Sequence, residues 1–255
     1  MESPKKSPPA GSRISRSTDT GPSQEPQKHN NRLLAALSLD DFALLKGDLK
    51  PETWDVRKVI EKRNARIERV CFPDRGIISV VAIADKTEVE VGLIGCEGVS
   101  GLAVVHGDEQ SPHSTYVQFA GSGQSISSEA FRRAIRKSET LHKLLLRYAQ
   151  AFMIQTSHTA IANAKAKIEE RLARWILMVH DRVPGNEMAL THEFTALMLG
   201  VRRPGVTEAI HALAKHALIR NPKPGTITVL DRRGLEKAAG PFYGVPEQEY
   251  TRLIG

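Results

Sequence analysis

The side chains best suited to chemistry in this chain are arginines near its C-terminal end. Arg202 and Arg203 stand side by side, Arg220 and Lys223 follow, and Arg232 and Arg233 close the group. A guanidinium is a planar fork of donors that fits a phosphate or the O6/N7 edge of a guanine. Arg202-Arg203 is followed directly by Pro204-Gly205-Val206-Thr207-Glu208. Proline is tolerated in the first turn of a helix, so the arginines fall at a helix start, where unpaired N–H groups and the dipole favour anions.

Other constellations are poorer. His106 and His113 flank Asp108 and Glu109 but lack the closely spaced histidines of a cupin metal site, and they read as solvated loop residues. His211 and His216 are five apart, off one helix face. Cys71 and Cys96 are too few for four-thiolate ligation of zinc or of an iron–sulfur cluster from one chain. Cys96, between Gly95 and Glu97, is a candidate redox thiol, with a buried or idle cysteine the plainer reading. No nucleophile elbow or phosphate-cradling glycine loop is present. The expectation is a binding protein, not an enzyme, with no metal site.

The elements that must position the arginines can be read around them. Thr191 suits a helix N-cap, and a short helix runs from it to Leu199. Gly200 suits a left-handed turn, Val201 the corner between helices, and a second helix starts near Arg202–Gly205 with Val206, Ile210, Leu213 and Leu218 on its buried face. This is a helix-turn-helix pattern. Ala217-Leu218-Ile219 then leads through Asn221-Pro222-Lys223-Pro224-Gly225 to Thr226-Ile227-Thr228-Val229, a strand, tight turn and strand that form a wing. The net charge is +7, with 14 basic against 10 acidic side chains over residues 165–255, a weak preference for polyanions.

Upstream, residues 1–30 are rich in Pro, Ser, Gly and charge and read as a disordered tail. Helical spacing covers Asn31 to Leu45, with Asp40 as a candidate N-cap. Between residues 54 and 131, short Val- and Ile-rich runs (Ile67–Phe72, Ile77–Ile83, Val89–Leu93, Thr115–Phe119) predict a barrel or jelly roll. Leu141, Leu145, Tyr148, Phe152, Gln155 and Thr159 then recur at 4-3 spacing, which predicts a dimer seam, or an ordinary amphipathic helix packed on its own domain. Lys165 to His180 is a further amphipathic helix, closed by Pro184-Gly185.

Leu190 to Ile219, and the wing through Leu230-Asp231-Arg232, resemble the DNA-binding domain of the cyclic AMP receptor protein/fumarate–nitrate regulator (Crp/Fnr) family of bacterial transcription regulators. Leu199-Gly200-Val201-Arg202-Arg203-Pro204-Gly205-Val206-Thr207 looks like the "LGVRRPxVT" of a rhizobial-type branch, as do Cys71–Gly76 and Val89–Gly95. The resemblance spans about residues 31–240 and implies an α+β fold. Its parts would be a β jelly-roll sensor barrel of the cyclic-nucleotide-binding type (31–137), a dimerisation helix (138–163), a winged helix-turn-helix (164–240) and a C-terminal tail (241–255). It implies a cytoplasmic homodimer on double-stranded DNA, with RNA polymerase as a further partner.

The recognition helix would be Arg202 to His211, including Pro204, Val206, Ala209 and Ile210, with Arg203, Thr207 and Glu208 on bases. Thr191, His192, Arg202, Gly205, Lys223 and Arg233 would meet the DNA backbone. Two departures matter. Where cyclic AMP receptors present Arg-Glu-x-x-x-Arg, this chain has Arg203, Pro204 and Glu208, so the operator should differ. The candidate effector region, Gly95, Glu97, Gly98, His113, Ser114 and Thr115, lacks the arginine that holds a cyclic phosphate. Cyclic nucleotide binding and an iron–sulfur cluster are therefore not expected. The alternatives are an effector-sensing module acting through protein partners without DNA, and a barrel enzyme with an appended helical domain.

Overall fold

The computed structural model describes Met1, residues 30–223 and residues 225–255. The tail expected over residues 1–30 lies, apart from its two ends, outside the described residues. Among the described residues two short helices come first, α1 (Arg32–Ala35) and α2 (Leu39–Lys46). Their N-caps are Asn31 and Ser38, whose side chains accept from Leu34 N and Asp41 N; Asp40 sits in the first turn instead of at the cap.

Five strands follow: β1 (Lys50–Trp54), β2 (Val59–Glu61), β3 (Arg69–Ala84), β4 (Thr87–Ile94) and β5 (Ser114–Ser127), with the short helix α3 (Leu102–Val105) between the last two. All pair antiparallel in the order β1-β5-β3-β4, and β2 joins β5 as well. The runs Ile67–Phe72 and Ile77–Ile83, expected as two strands, are one. β3 passes through register shifts against β5 between Pro73 and Ile78, and such bulges bend a strand without ending it. Gly76 makes the bend possible: its φ is 87°, and a Cβ there would lie 2.6 Å from the Phe119 carbonyl oxygen.

Helices α4 (Ser128–Lys137) and α5 (Glu139–Lys165) carry the chain away from the sheet, and Ser138 caps α5 by accepting from Leu141 N. The C-terminal domain comprises α6 (Ile168–His180), β6 (Glu187–Ala189), α7 (His192–Leu199), α8 (Arg203–Lys215), β7 (Ile219–Lys223), β8 (Thr226–Val229) and α9 (Arg232–Ala239). The last residues, expected as a tail, form a 3₁₀ turn and then α10 (Val245–Ile254). This helix packs on α5, and Tyr250 Oη donates to the Glu97 carbonyl at 2.8 Å.

The face of α5 expected as a dimer seam is largely spent inside the protomer. Leu141, Leu145 and Tyr148 are buried in one cluster with Val70, Phe72 and Phe131. Gln155 clamps the edge strand β4: its Oε1 accepts from Leu93 N at 2.7 Å and its Nε2 donates to Leu93 O at 3.2 Å. Phe152 lies so close to Gly92 that a Cβ there would sit 2.6 Å from its ring, and the Thr159 hydroxyl accepts from Arg174 at 3.1 Å. The heptad is real, but it faces the protomer's own core. Helix periodicity gives the angle between apolar residues and not the identity of the surface they meet. The outward face of α5 carries Leu146, Met153 and Ile161, which are 41, 54 and 51% exposed. Among the described residues no helix is long and apolar enough to cross a membrane.

Candidate functional site

The helix pair α7–α8 forms as the sequence requires. The Thr191 hydroxyl accepts from Phe194 N at 3.2 Å, and Gly200 reverses the chain at φ 60°. A side chain at that φ would be strained, and its Cβ would press on Val89 of β4 at 3.1 Å. Arg202 is the N-cap of α8 and not its first helical residue, and Pro204 lies in the first turn. Val206, Ala209, Ile210 and Leu213 are buried, so Val206, Ile210 and Leu213 take the core face that their spacing predicts.

The exposed side chains of α8 are Arg203, Pro204, Glu208, His211 and Lys215. Arg203 and His211 line a groove of about 760 Å³ between α8 and the β7–β8 wing, whose other walls include Thr191, His192, Asn221 and Lys223. Among the described residues no carboxylate pairs with Arg202, Arg203, Lys223 or Arg233. Of these, Arg203 and Lys223 lie on the groove walls, with Glu193 as the one acid there among the described residues, and unpaired cations on a concave surface make it attractive to a polyanion. Arg232 is different: it pairs with Asp181 at 2.7 Å and Glu236 at 3.1 Å and donates to Tyr243 Oη, so it ties α9 to α6. Two further expected residues serve the fold as well. The Thr207 hydroxyl lies 3.1 Å from His192 Nδ1 and 3.2 Å from the Arg203 carbonyl. Gly205 lets α8 approach α6, since a Cβ there would meet Ile168 at 3.0 Å.

The sheet and the C-terminal domain share a core: Ile77 and Leu93 of the sheet cluster with Trp175, Ile176 and Leu199. At that boundary Glu90 is buried. Its Oε1 accepts from Trp175 Nε1 at 2.7 Å and its Oε2 from Ser79 Oγ at 2.5 Å. Burial pushes the Glu90 carboxyl up to about 7; the bonds from Ser79 and Trp175 and the charges of Arg174 and Arg182 offset it only in part. Glu97 meets Arg182 of the C-terminal domain at 2.8 Å. Burial alone would lower the Arg182 guanidinium, but Glu97 and Asp181 hold it above its usual range.

The expected effector residues divide between two places. Gly95 donates to Glu97 at 3.2 Å, Glu97 is spent on Arg182, and a Cβ on Gly98 would collide with Tyr148 Oη, so this loop is packed against α5 and the C-terminal domain. His113 and Thr115 instead line a cavity of about 720 Å³ between the sheet and α5. Ser114 pairs with Val81 in the sheet. Sequence reasoning missed Glu61, which is buried at the inner end of this cavity. Its only signal was an acidic residue ending the apolar run Val59-Ile60-Glu61. Of the cysteines, Cys71 is buried and its thiol is pushed up to about 12 by that burial and by Glu52 and Glu61; burial and Glu97 raise Cys96 too. Both shifts disfavour the reactive thiolate.

Residues 170–238 match the model of the Crp-like helix-turn-helix domain. No curated protein matches the chain. Solved structures do. A crp/fnr family regulator from Eubacterium rectale is 16% identical, with a TM-score of 0.65 over 83% of this chain and 99% of that one. FixK2 from Bradyrhizobium japonicum is 14% identical, with a TM-score of 0.63 over 74% and 96%. A CRP/FNR family regulator from Thermus thermophilus is 18% identical, with a TM-score of 0.60 over 76% and 100%.

Proposed function

We infer from its Crp-like helix-turn-helix domain and its Crp/Fnr fold that this chain, a Crp/Fnr-type DNA-binding transcription regulator, acts as a homodimer on a near-palindromic operator. The observation that carries this reading is the groove beside α8, with the unpaired Arg203 and Lys223 on its walls. In the reading, Arg203 pairs with a guanine edge and Glu208 accepts from a cytosine amino group. Arg202, at the N-cap, and Lys223, on the wing, meet phosphates, with Thr191, His192 and Arg233 beside them.

The dimer forms along the outward face of α5, through Leu146, Met153 and Ile161, in place of the seam first expected. The two heads then sit about one DNA turn apart, roughly 34 Å. The sheet domain is an effector sensor whose ligand site has departed from the cyclic nucleotide pattern: among the described residues no Lys or Arg lines its cavity. RNA polymerase as a partner, the cytoplasm as the compartment and the rhizobial-type branch belong to the same reading.

The test is selection of bound duplexes from a random pool by the full chain. Enrichment of a near-palindrome whose half-sites lie about ten base pairs apart, lost as salt rises, is expected. No salt-dependent enrichment would leave the module that acts through protein partners.

A further inference from the structure

The cavity between the sheet and α5 holds a buried acid with no cation to answer it among the described residues. Glu61 is 8% exposed. Its Oε1 accepts from Gly101 N at 2.7 Å and its Oε2 from Thr115 Oγ1 at 3.3 Å, and Ser100 is a further hydroxyl beside it. All three partners are neutral. Burial raises the carboxyl above its usual range, and these bonds recover only part of the shift. A buried carboxylate with no counter-charge is costly, and these neutral partners offset that cost only in part.

The rest of the cavity narrows what would complete it. Val80, Val91 and Ile94 of the sheet and Leu102 of α3 line it with Phe152 of α5, and the exposed Leu146 and Met153, which also carry the outward face of α5, line its open side. The exposed end adds His106, Asp108 and His113. Asp108 is a second acid, and a volume of about 720 Å³ is ample for a small organic molecule. A phosphate or carboxylate entering here would meet two acids and, among the described residues, no guanidinium or ammonium. A cation with an apolar body would meet its counter-charge at the inner end and apolar walls along its length.

We propose that this cavity binds an apolar molecule bearing an ammonium head, with the head paired to Glu61. The proposal rests on the reading of the sheet domain as an effector sensor. It gives that sensor a ligand class opposite in charge to a cyclic nucleotide.

Calorimetry on the full chain at pH 7 tests it with four probes: n-octylamine, octanoate, 1-octanol and cyclic AMP. Octylamine should bind at one site per chain, with octanoate and cyclic AMP at least about tenfold weaker. Glu61→Gln should weaken octylamine by about tenfold or more and leave octanol unchanged, since octanol reads the apolar walls alone. Equal losses for both probes, or no loss for the amine, would overturn the pairing. Octanoate or cyclic AMP binding as tightly as octylamine, and displaced by Ala103→Trp, which fills the cavity, would overturn the amine and keep the effector site. Silence from all four probes would overturn the amine; the DNA affinity of Ala103→Trp then judges the sensor reading separately, which falls if that affinity is unchanged.

Discussion

Replacing Glu90 by glutamine should stabilise this protein above neutral pH and do little below pH 5. Glu90 is fully enclosed between β4, β3 and α6, with Ser79 and Trp175 bonded to it, Arg174 and Arg182 near enough to act on its charge, and Tyr116 affected by it in turn. Its carboxyl titrates at about 7 in the fold against 4.5 unperturbed. The folded state therefore holds the proton more tightly than the unfolded chain. Stability is undiminished below the unfolded value and falls as pH rises from about 4.5 to about 7. That shift corresponds to roughly 3 kcal/mol lost by pH 8, and to about 1 kcal/mol at pH 5. In Glu90→Gln the side chain would never ionise. The new amide's carbonyl accepts from Trp175 and its N–H donates to Ser79, so both bonds survive in a neutral form. Urea denaturation of both proteins at pH 5 and pH 8 reads the difference, with other titrating groups cancelling between them. The advantage of the variant should grow by roughly 2 kcal/mol from the lower pH to the higher. Parallel pH curves, or a variant less stable at pH 8, would refute the account of Glu90 as a buried acid whose ionisation destabilises the fold.

Leu146→Glu combined with Met153→Glu should leave the circular dichroism spectrum intact and give monomers by light scattering, whereas Leu145→Ala should cost about 2–5 kcal/mol of stability without splitting the dimer. A dimer surviving the double substitution would place the interface elsewhere. Arg203→Ala should cost roughly 1–3 kcal/mol of operator affinity and relax base preference at one symmetric pair of positions; Arg202→Ala should weaken all sequences alike and lower the salt slope by about one ion per head. The opposite pattern in a binding matrix of single-base variants would shift the helix by one residue in the groove. Gln155→Ala should cost about 1–3 kcal/mol and speed hydrogen exchange at the Leu93 amide, because the buried edge of β4 loses both partners; unchanged exchange there would count against the clamp.

The helix-turn-helix was legible in the sequence because its signals are local. Thr191, Gly200 and Pro204 each act within one turn of chain, through a cap, a positive φ and a missing N–H. The long helix was legible in extent but not in orientation, because its 4-3 spacing is satisfied equally by a second chain and by its own sheet. What decided between them is non-local: Val70 and Phe72, about seventy residues earlier in the chain, complete the cluster around Leu141 and Leu145. The same limit explains the effector residues. Gly95-Cys96-Glu97-Gly98 reads as a ligand loop, yet Glu97 is taken by Arg182, 85 residues further on. Glu61 came into view only when folding placed it under Gly101 and Thr115. α10 was missed because its helical residues follow a Gly- and Pro-rich stretch and find their support on α5.

These non-local contacts also bear on how a cavity occupant and a DNA head would affect each other. The cavity is walled on one side by Phe152 and Met153 of α5 and on the other by Val91 of β4. One turn along the helix, Gln155 holds both backbone groups of Leu93. Glu90, three residues before Leu93 on the same strand, is bonded to Trp175 of α6. α6 in turn holds the helix pair, since Arg171 donates to the Leu199 carbonyl at the turn before Arg202. Each step is a direct contact, and the helix and strand between them are hydrogen-bonded elements. Spatial continuity is not coupling by itself; coupling requires two arrangements that both ends bias. The contact best placed to differ between such arrangements is Glu90–Trp175. It joins the two domains, and the pH titration of Glu90→Gln measures the free energy of burying that carboxyl as an ion.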